Sequence, residues 1–217
     1  MAQLDFSNPC PLLGDAFRHK PWYVNLSEDG PYVNVIKTLS QPQLDAVIKA
    51  EQRDRGVAWS ISGERELRQS LYSAFGLMEP YIHIGIDVNV PAGTFLYAPF
   101  DSKIAQVHYD NEREGNGGFG GWTILEVINR GFYLMFGHLQ ASSFGCIGAI
   151  VKAGERFAIV ADFHENGNWF HHAHMQVLTQ KAYDEGLIWG FVPQDKYSDI
   201  DEYSPSPMSI IEACWGR

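Results

Sequence analysis

A chain of 217 residues with 45% hydrophobic and 19% charged residues has an ordinary globular composition, with length enough for one sizeable core; disordered and fibrous chains are excluded. The formal net charge of -10, with no Lys/Arg stripe to offset it, repels a phosphate backbone, so no nucleic acid partner is expected. Cys10, Cys146 and Cys214 lack the paired spacing of a disulfide framework or a thiolate metal site and read as buried thiols outside any disulfide.

Residues 1–20 carry Asp5, Pro9, Pro11 and Asp15 where an export signal needs basic residues followed by an apolar core. No apolar run approaches the roughly twenty residues of a bilayer span, so the expectation is a soluble, cytoplasmic protein with no membrane partner. Over the first thirty-odd residues, Pro9, Pro11, Pro21, Gly30 and Pro31 stand among Phe17, Trp22 and Tyr23, which predicts an irregular segment wrapped on the body. Ser40 and Pro42 then mark a helix start; Leu44, Val47 and Ile48 recur at helical spacing, and Gly56 offers a stop. A weaker amphipathic stretch covers 64–75.

From Tyr81 the chain turns to β-branched and aromatic runs separated by Gly, Asn, Asp and Pro, the pattern of an antiparallel sheet. Strands are expected at 82–90, 103–110, 122–129, 132–138, 157–161 and 172–178, with a glycine-rich turn at 116–121. Beyond Thr179, Gly186, Pro193, Pro205 and Pro207 predict loops, with a terminal helical turn at 208–213. The predicted class is therefore mainly β (α+β), with an antiparallel sheet core at 81–180, a partly helical N-terminal extension at 1–80, and a C-terminal extension at 181–217 packed on that core.

Three elements carry ligand chemistry. In the run from Ile82 to Val90 apolar and polar residues alternate, so a continuous strand would send Ile82, Ile84, Ile86 and Val88 to one face and His83, Gly85 and Asp87 to the other. Gly85 leaves open space between an imidazole and a carboxylate. His172 and His174 flank the small Ala173 on a second strand, and His138 closes the apolar run Phe132 to Phe136. A catalytic zinc takes three protein ligands and leaves one position for water. His83, Asp87 and one imidazole of the His-x-His pair supply that set, with the other imidazole and His138 beside the open position for proton transfer.

These residues resemble the lysostaphin/LytM-type zinc endopeptidases, whose pattern is His-x-Gly-x-Asp, then a His after an aromatic-rich strand, then His-x-His. Similar text lies between the motifs, at Val90-Pro91-Ala92-Gly93-Thr94, Tyr97-Ala98-Pro99, Gly121-Trp122-Thr123-Ile124 and Val151-Lys152-Ala153-Gly154-Glu155. The resemblance, which runs from Tyr81 to Val177, implies a lysostaphin-like fold and Zn2+ held by His83, Asp87 and His174. It implies non-ligand active-site roles for His138 and His172. It also implies hydrolysis of a peptide or peptidoglycan-like substrate, with 81–180 as the peptidase domain. Two departures, Asn168-Trp169-Phe170-His171 before the His-x-His pair and Gln176 where the family often has Glu, make the chain look like a divergent branch without export signals. The rival reading is an inactive lysostaphin-like domain that binds peptide or regulates a partner. His171 reads as a surface or supporting residue, while His19, His108 and His164 match nothing. Tyr81 and Trp169 lie nearest the motifs among the aromatics.

Overall fold

The computed structural model describes residues 4–15, 19–110 and 117–215; Phe17 and Asn116 lie outside these. In chain order, strand β1 (Trp22–Tyr23) precedes the short helix α1 (Val33–Ile36) and the long helix α2 (Gln41–Asp54). The start of α2 follows from Ser40, whose backbone N–H donates to Gln43 Oε1 at 2.9 Å, with Pro42 in the first turn where no partner for its nitrogen is needed. Leu44 and Ile48 form its buried stripe, and Gly56 leaves the helix with φ +66. Strand β2 (Ser60–Ser62) and helix α3 (Gln69–Ser73) follow.

The helix expected over 64–75 therefore forms only in its last part. Gly63 (φ +97) and Arg65 (φ +55) break the helical path, and Arg68 donates its N–H to Tyr81 O at 3.0 Å instead. Glu66 and Arg68 turn inward as a buried charged pair, which helical periodicity does not foresee.

The strands β3 (Tyr81–His83) and β4 (Ile86–Asn89) replace the single strand expected at 82–90. The break is at Gly85, which has φ +86, and a Cβ there would lie 2.4 Å from Met175 O. Only glycine fits this bend. Changing Gly85→Ala is expected to cost roughly 2 kcal/mol or more of stability through backbone strain and displacement of the neighbouring strand, measurable by urea denaturation.

Next come β5 (Phe95–Tyr97), β6 (Ser102–Tyr109), β7 (Gly121–Val127), β8 (Phe132–Leu139), β9 (Ile150–Val151), β10 (Arg156–Ile159) and β11 (Ala173–Thr179). Five of the six predicted strands thus form within a residue or two of expectation. The region after Thr179 is more ordered than proline and glycine suggest: α4 (Gln180–Asp184), β12 (Phe191–Pro193), a 3-10 helix at Gln194–Glu202, and α5 (Met208–Trp215). Thr179 accounts for α4, since its hydroxyl caps Ala182 N.

The large sheet has the order β1-β2-β4-β11-β8-β7-β6-β9, antiparallel throughout except for the parallel edge pair β1–β2. β5 pairs with β10, and β12 with β3, as separate two-stranded sheets. The mainly β expectation holds. Alternation decides the faces: Ile86, Val88, Leu134, Phe136, Ala173, Met175 and Val177 enter one buried cluster, each large aliphatic contributing about 1.5–3 kcal/mol. Asp87, His174 and Gln176 fall on the opposite face. Cys10 and Cys214 are half-buried and Cys146 is exposed, which corrects the expectation of three buried thiols. No helix among the described residues is long and apolar enough to cross a membrane.

Candidate metal centre

Asp87 on β4 and His174 on β11 are directly paired in register, and His83 comes from the end of β3 across the Gly85 bend. One ligand atom from each of these three lies within 4.8 Å of the others, and all three residues are buried. His83 Nε2 stands 3.2 Å from Asp87 Oδ1, and His174 Nδ1 stands 3.3 Å from the same oxygen. Donors about 2.0–2.2 Å from a tetrahedral zinc lie roughly 3.3–3.6 Å from one another, so this spacing suits the ion.

At His83 and His172 the hydrogen bond on the far side of the ring fixes which nitrogen carries the proton. A carbonyl oxygen can only accept, so His83 Nδ1 donates to Gly63 O at 2.8 Å and leaves Nε2 as a lone pair. His172 Nδ1 likewise donates to Phe170 O at 2.8 Å, and its Nε2 faces Asp87 Oδ1 at 3.4 Å. His174 lies between two acceptors, with Nδ1 3.3 Å from Asp87 Oδ1 and Nε2 3.4 Å from Gln176 Oε1, and Gln176 is a neutral partner there. At His83 and His172 a nitrogen lone pair faces Asp87 Oδ1, with the His174 ring beside them. That donor set fits a cation.

His138 sits one residue before the end of β8 with φ +63, unusual for a residue with a Cβ. Three hydrogen bonds hold it there: its N–H to Phe119 O at 2.9 Å, its O from Ala161 N at 3.0 Å, and its Nδ1 to Asn166 O at 2.7 Å. The Asn166 carbonyl fixes the Nδ1–H tautomer and leaves Nε2 able to take a proton. The rings of His138 and His172 lie 4.3 Å apart. His83, Asp87, His138, His172 and His174 all line one cavity of about 70 Å³, together with Arg68, Tyr72, Phe119, Trp169 and Phe191. Tyr81 is not part of this lining and packs instead on Tyr72 and Phe191.

Burial lowers His83 and His172 to about 4, and it puts His138 well below its usual value, with His172 and His174 adding to the effect. Burial alone would raise Asp87, but His83, His172 and the Arg68 guanidinium outweigh it and hold the carboxyl well below its usual range. His83, His138 and His172 are therefore neutral and the carboxylate charged near neutrality, the forms that bind metal. A stability effect follows for metal-free protein. Between pH 6.5 and about 4 the unfolded chain takes up protons at His83 and His172 that the fold refuses. Stability should be complete above pH 6.5 and fall as pH drops toward 4, by up to roughly 3 kcal/mol for each histidine. Urea denaturation of metal-free protein at pH 7 and pH 5 measures this, and His83→Gln should reduce the difference by about half, leaving the His172 part.

His171 lies outside the cavity lining. Its Nε2 is 2.9 Å from Asp162 Oδ1, its Nδ1 is 3.2 Å from Asp45 Oδ2, and its N–H donates to Asp45 Oδ1. Burial would lower it, but these carboxylates raise it overall. It ties α2 to the loop before β11.

Sequence reasoning missed Gly63, Glu66, Arg68 and Tyr72, all from the segment before β3. Arg68 Nη1 is 2.6 Å from Asp87 Oδ2, and Arg68 Nε is 2.8 Å from Glu66 Oε2. Glu66 Oε1 in turn accepts from Leu26 N at 3.2 Å. Alternating charge at Glu64, Arg65, Glu66 and Arg68 reads as a solvated helix face, so no signal in the sequence marks them as buried. On the other side, Ile84 N–H donates to Gly190 O at 2.8 Å, and this bond with the β3–β12 pairing makes Gly190 and Phe191 a wall of the cavity.

No family model matches the sequence, and no curated protein matches it. Solved structures do. A zinc containing peptidase from Vibrio cholerae is 24% identical over 46% of this chain and 28% of its own length, with a TM-score of 0.38. The chain therefore corresponds to less than a third of that protein. The catalytic domain of the prophage-encoded M23 protein EnpA from Enterococcus faecalis, solved as a point mutant, is 23% identical over 54% of this chain and 79% of its own, with a TM-score of 0.39. The catalytic domain of the antimicrobial peptidase lysostaphin from Staphylococcus simulans is 19% identical over 60% of this chain and 80% of its own, with a TM-score of 0.43. The chain is thus similar to lysostaphin-type peptidases in its motifs and, over part of its length, in its structure.

Proposed function

We propose that this chain is a zinc-dependent peptidase that hydrolyses a peptide (amide) bond, with His83, Asp87 and His174 as metal ligands and His138 and His172 as proton-transfer groups. The observation that carries this reading is the buried convergence of His83 Nε2, Asp87 Oδ1 and His174 Nδ1 beside a cavity. Zn2+ bound there would polarise a carbonyl and lower the pKa of water from 15.7 to about 7. The protein's own groups do the rest. His138 Nε2, its ring fixed by Asn166 O, accepts a proton from the attacking water. His172 Nε2, left as a lone pair by the Nδ1–H bond to Phe170 O, is a second proton acceptor at the cavity. Phe119 and Trp169 border the cavity and limit water.

The substrate we propose is a peptide or peptidoglycan-like cross-link, on the strength of the His-x-Gly-x-Asp and His-x-His motifs. Residues 81–180 would form the catalytic unit, with 1–80 and 181–217 packed around it. Metal analysis of purified protein should give one zinc per chain. A panel of peptides, including glycine-rich and cell-wall cross-link peptides, should be cleaved, with loss of cleavage on chelation and recovery on adding zinc. Protein that takes up no zinc would sink the reading; zinc uptake with no hydrolysis across the panel would sink its catalytic part.

A further inference from the structure

We infer that Arg68, braced by Glu66, is a positioning residue that fixes the Asp87 carboxylate for the metal, so that the segment before β3 completes the metal centre. This rests on the zinc reading above. Asp87 has two oxygens, and the fold divides them: Oδ2 is bound by Arg68 Nη1 at 2.6 Å, while Oδ1 faces His83 Nε2, His174 Nδ1 and His172 Nε2 at 3.2, 3.3 and 3.4 Å. A carboxylate free to rotate about its last bond presents either oxygen, or both. Tied through Oδ2, it presents one oxygen in one direction.

Arg68 is itself buried and tied on two sides. Its side chain is 2% exposed, its N–H is bound to Tyr81 O, and its Nε is held by Glu66, whose other oxygen takes the Leu26 N–H. A chain of contacts thus runs from Leu26 through Glu66 and Arg68 to Asp87, all but the last lying before β3. The planar fork of arginine suits this task, because two of its nitrogens address two carboxylates at once, whereas a lysine ammonium is a single point. Gly63 O, which orients His83, comes from the same segment.

Charge and orientation make opposite predictions for Arg68. By Coulomb's law alone, removing a cation beside a metal ligand would tighten binding of a dication. Loss of orientation would weaken it. The experiment is the zinc dissociation constant of the full chain, by chelator competition, for wild type, Arg68→Met, Arg68→Lys and the double variant Arg68→Met with Glu66→Gln. The double variant removes the buried charge that Arg68→Met strands on Glu66, and circular dichroism checks folding of each. The expected result is a zinc affinity 10- to 100-fold weaker in Arg68→Met and in the double variant, a smaller loss in Arg68→Lys, and altered visible bands when cobalt replaces zinc. A folded double variant with wild-type or tighter zinc binding and an unchanged cobalt spectrum overturns the inference while leaving the zinc reading intact. Wild-type protein that binds no zinc overturns both.

Discussion

Replacing Asp87 by alanine is expected to abolish stoichiometric zinc and to destabilise the protein by about 3–5 kcal/mol. Two independent losses add up in this variant. Asp87 Oδ1 is the atom on which His83 Nε2, His172 Nε2 and His174 Nδ1 converge, so its removal deletes both a ligand and the negative charge that makes the cluster attractive to a cation. Asp87 Oδ2 also neutralises a guanidinium that is 2% exposed, and alanine leaves that charge paired with Glu66 alone. His174→Ala separates the two effects, because it removes a ligand and strands no charge. It should lose zinc by the same assay while melting closer to the wild type. Unchanged zinc stoichiometry in either variant would rule out the ligand assignment.

His138→Ala should give the reverse pattern, with zinc retained and turnover reduced about 10²- to 10⁴-fold. Its Nδ1 is engaged by Asn166 O and its Nε2 is left to the cavity, so it stands next to the three converging ligand atoms without belonging to them. Alanine also relieves little of the φ +63 strain, since the Cβ remains. The three hydrogen bonds that hold this residue include two from the backbone, and those survive the change. Zinc content by metal analysis and single-turnover rates on a cleaved peptide are the measurements; a turnover close to wild type would end the catalytic assignment.

Much of the fold is legible in alternation and turn residues. β6, β7, β8, β10 and β11 follow from runs of β-branched and aromatic residues bounded by glycine and asparagine, and α2 from Ser40, Pro42 and Gly56. Where local pattern competes with tertiary demand, legibility ends. The run from Ile82 to Val90 alternates without a flaw, yet the close approach of Met175 O forces Gly85 to φ +86 and divides it between two sheets. Helical spacing over 64–75 is overridden by the need of Asp87 for a cation, which draws Arg68 inward. The two-residue strands β1 and β9 are too short to carry a period at all.

The candidate site divides in the same way. His83, Asp87, His138, His172 and His174 announce themselves because imidazoles and a carboxylate recur in the spacing of strand ends, and the structure brings all five to one cavity. Gly63, Glu66, Arg68 and Asn166 do not. A backbone carbonyl has no residue type to reveal it, and a buried arginine is indistinguishable in sequence from one on the surface.

The bend at Gly85 has a mechanical meaning. It places His83 in the small β3–β12 sheet and Asp87 and His174 in the large one, two hydrogen-bonded networks that no strand pairing joins among the described residues. A dication gripped by all three would then be a rivet between two plates, and the strand Phe191–Pro193, paired with β3 through His83, would be clamped by whatever occupies the centre.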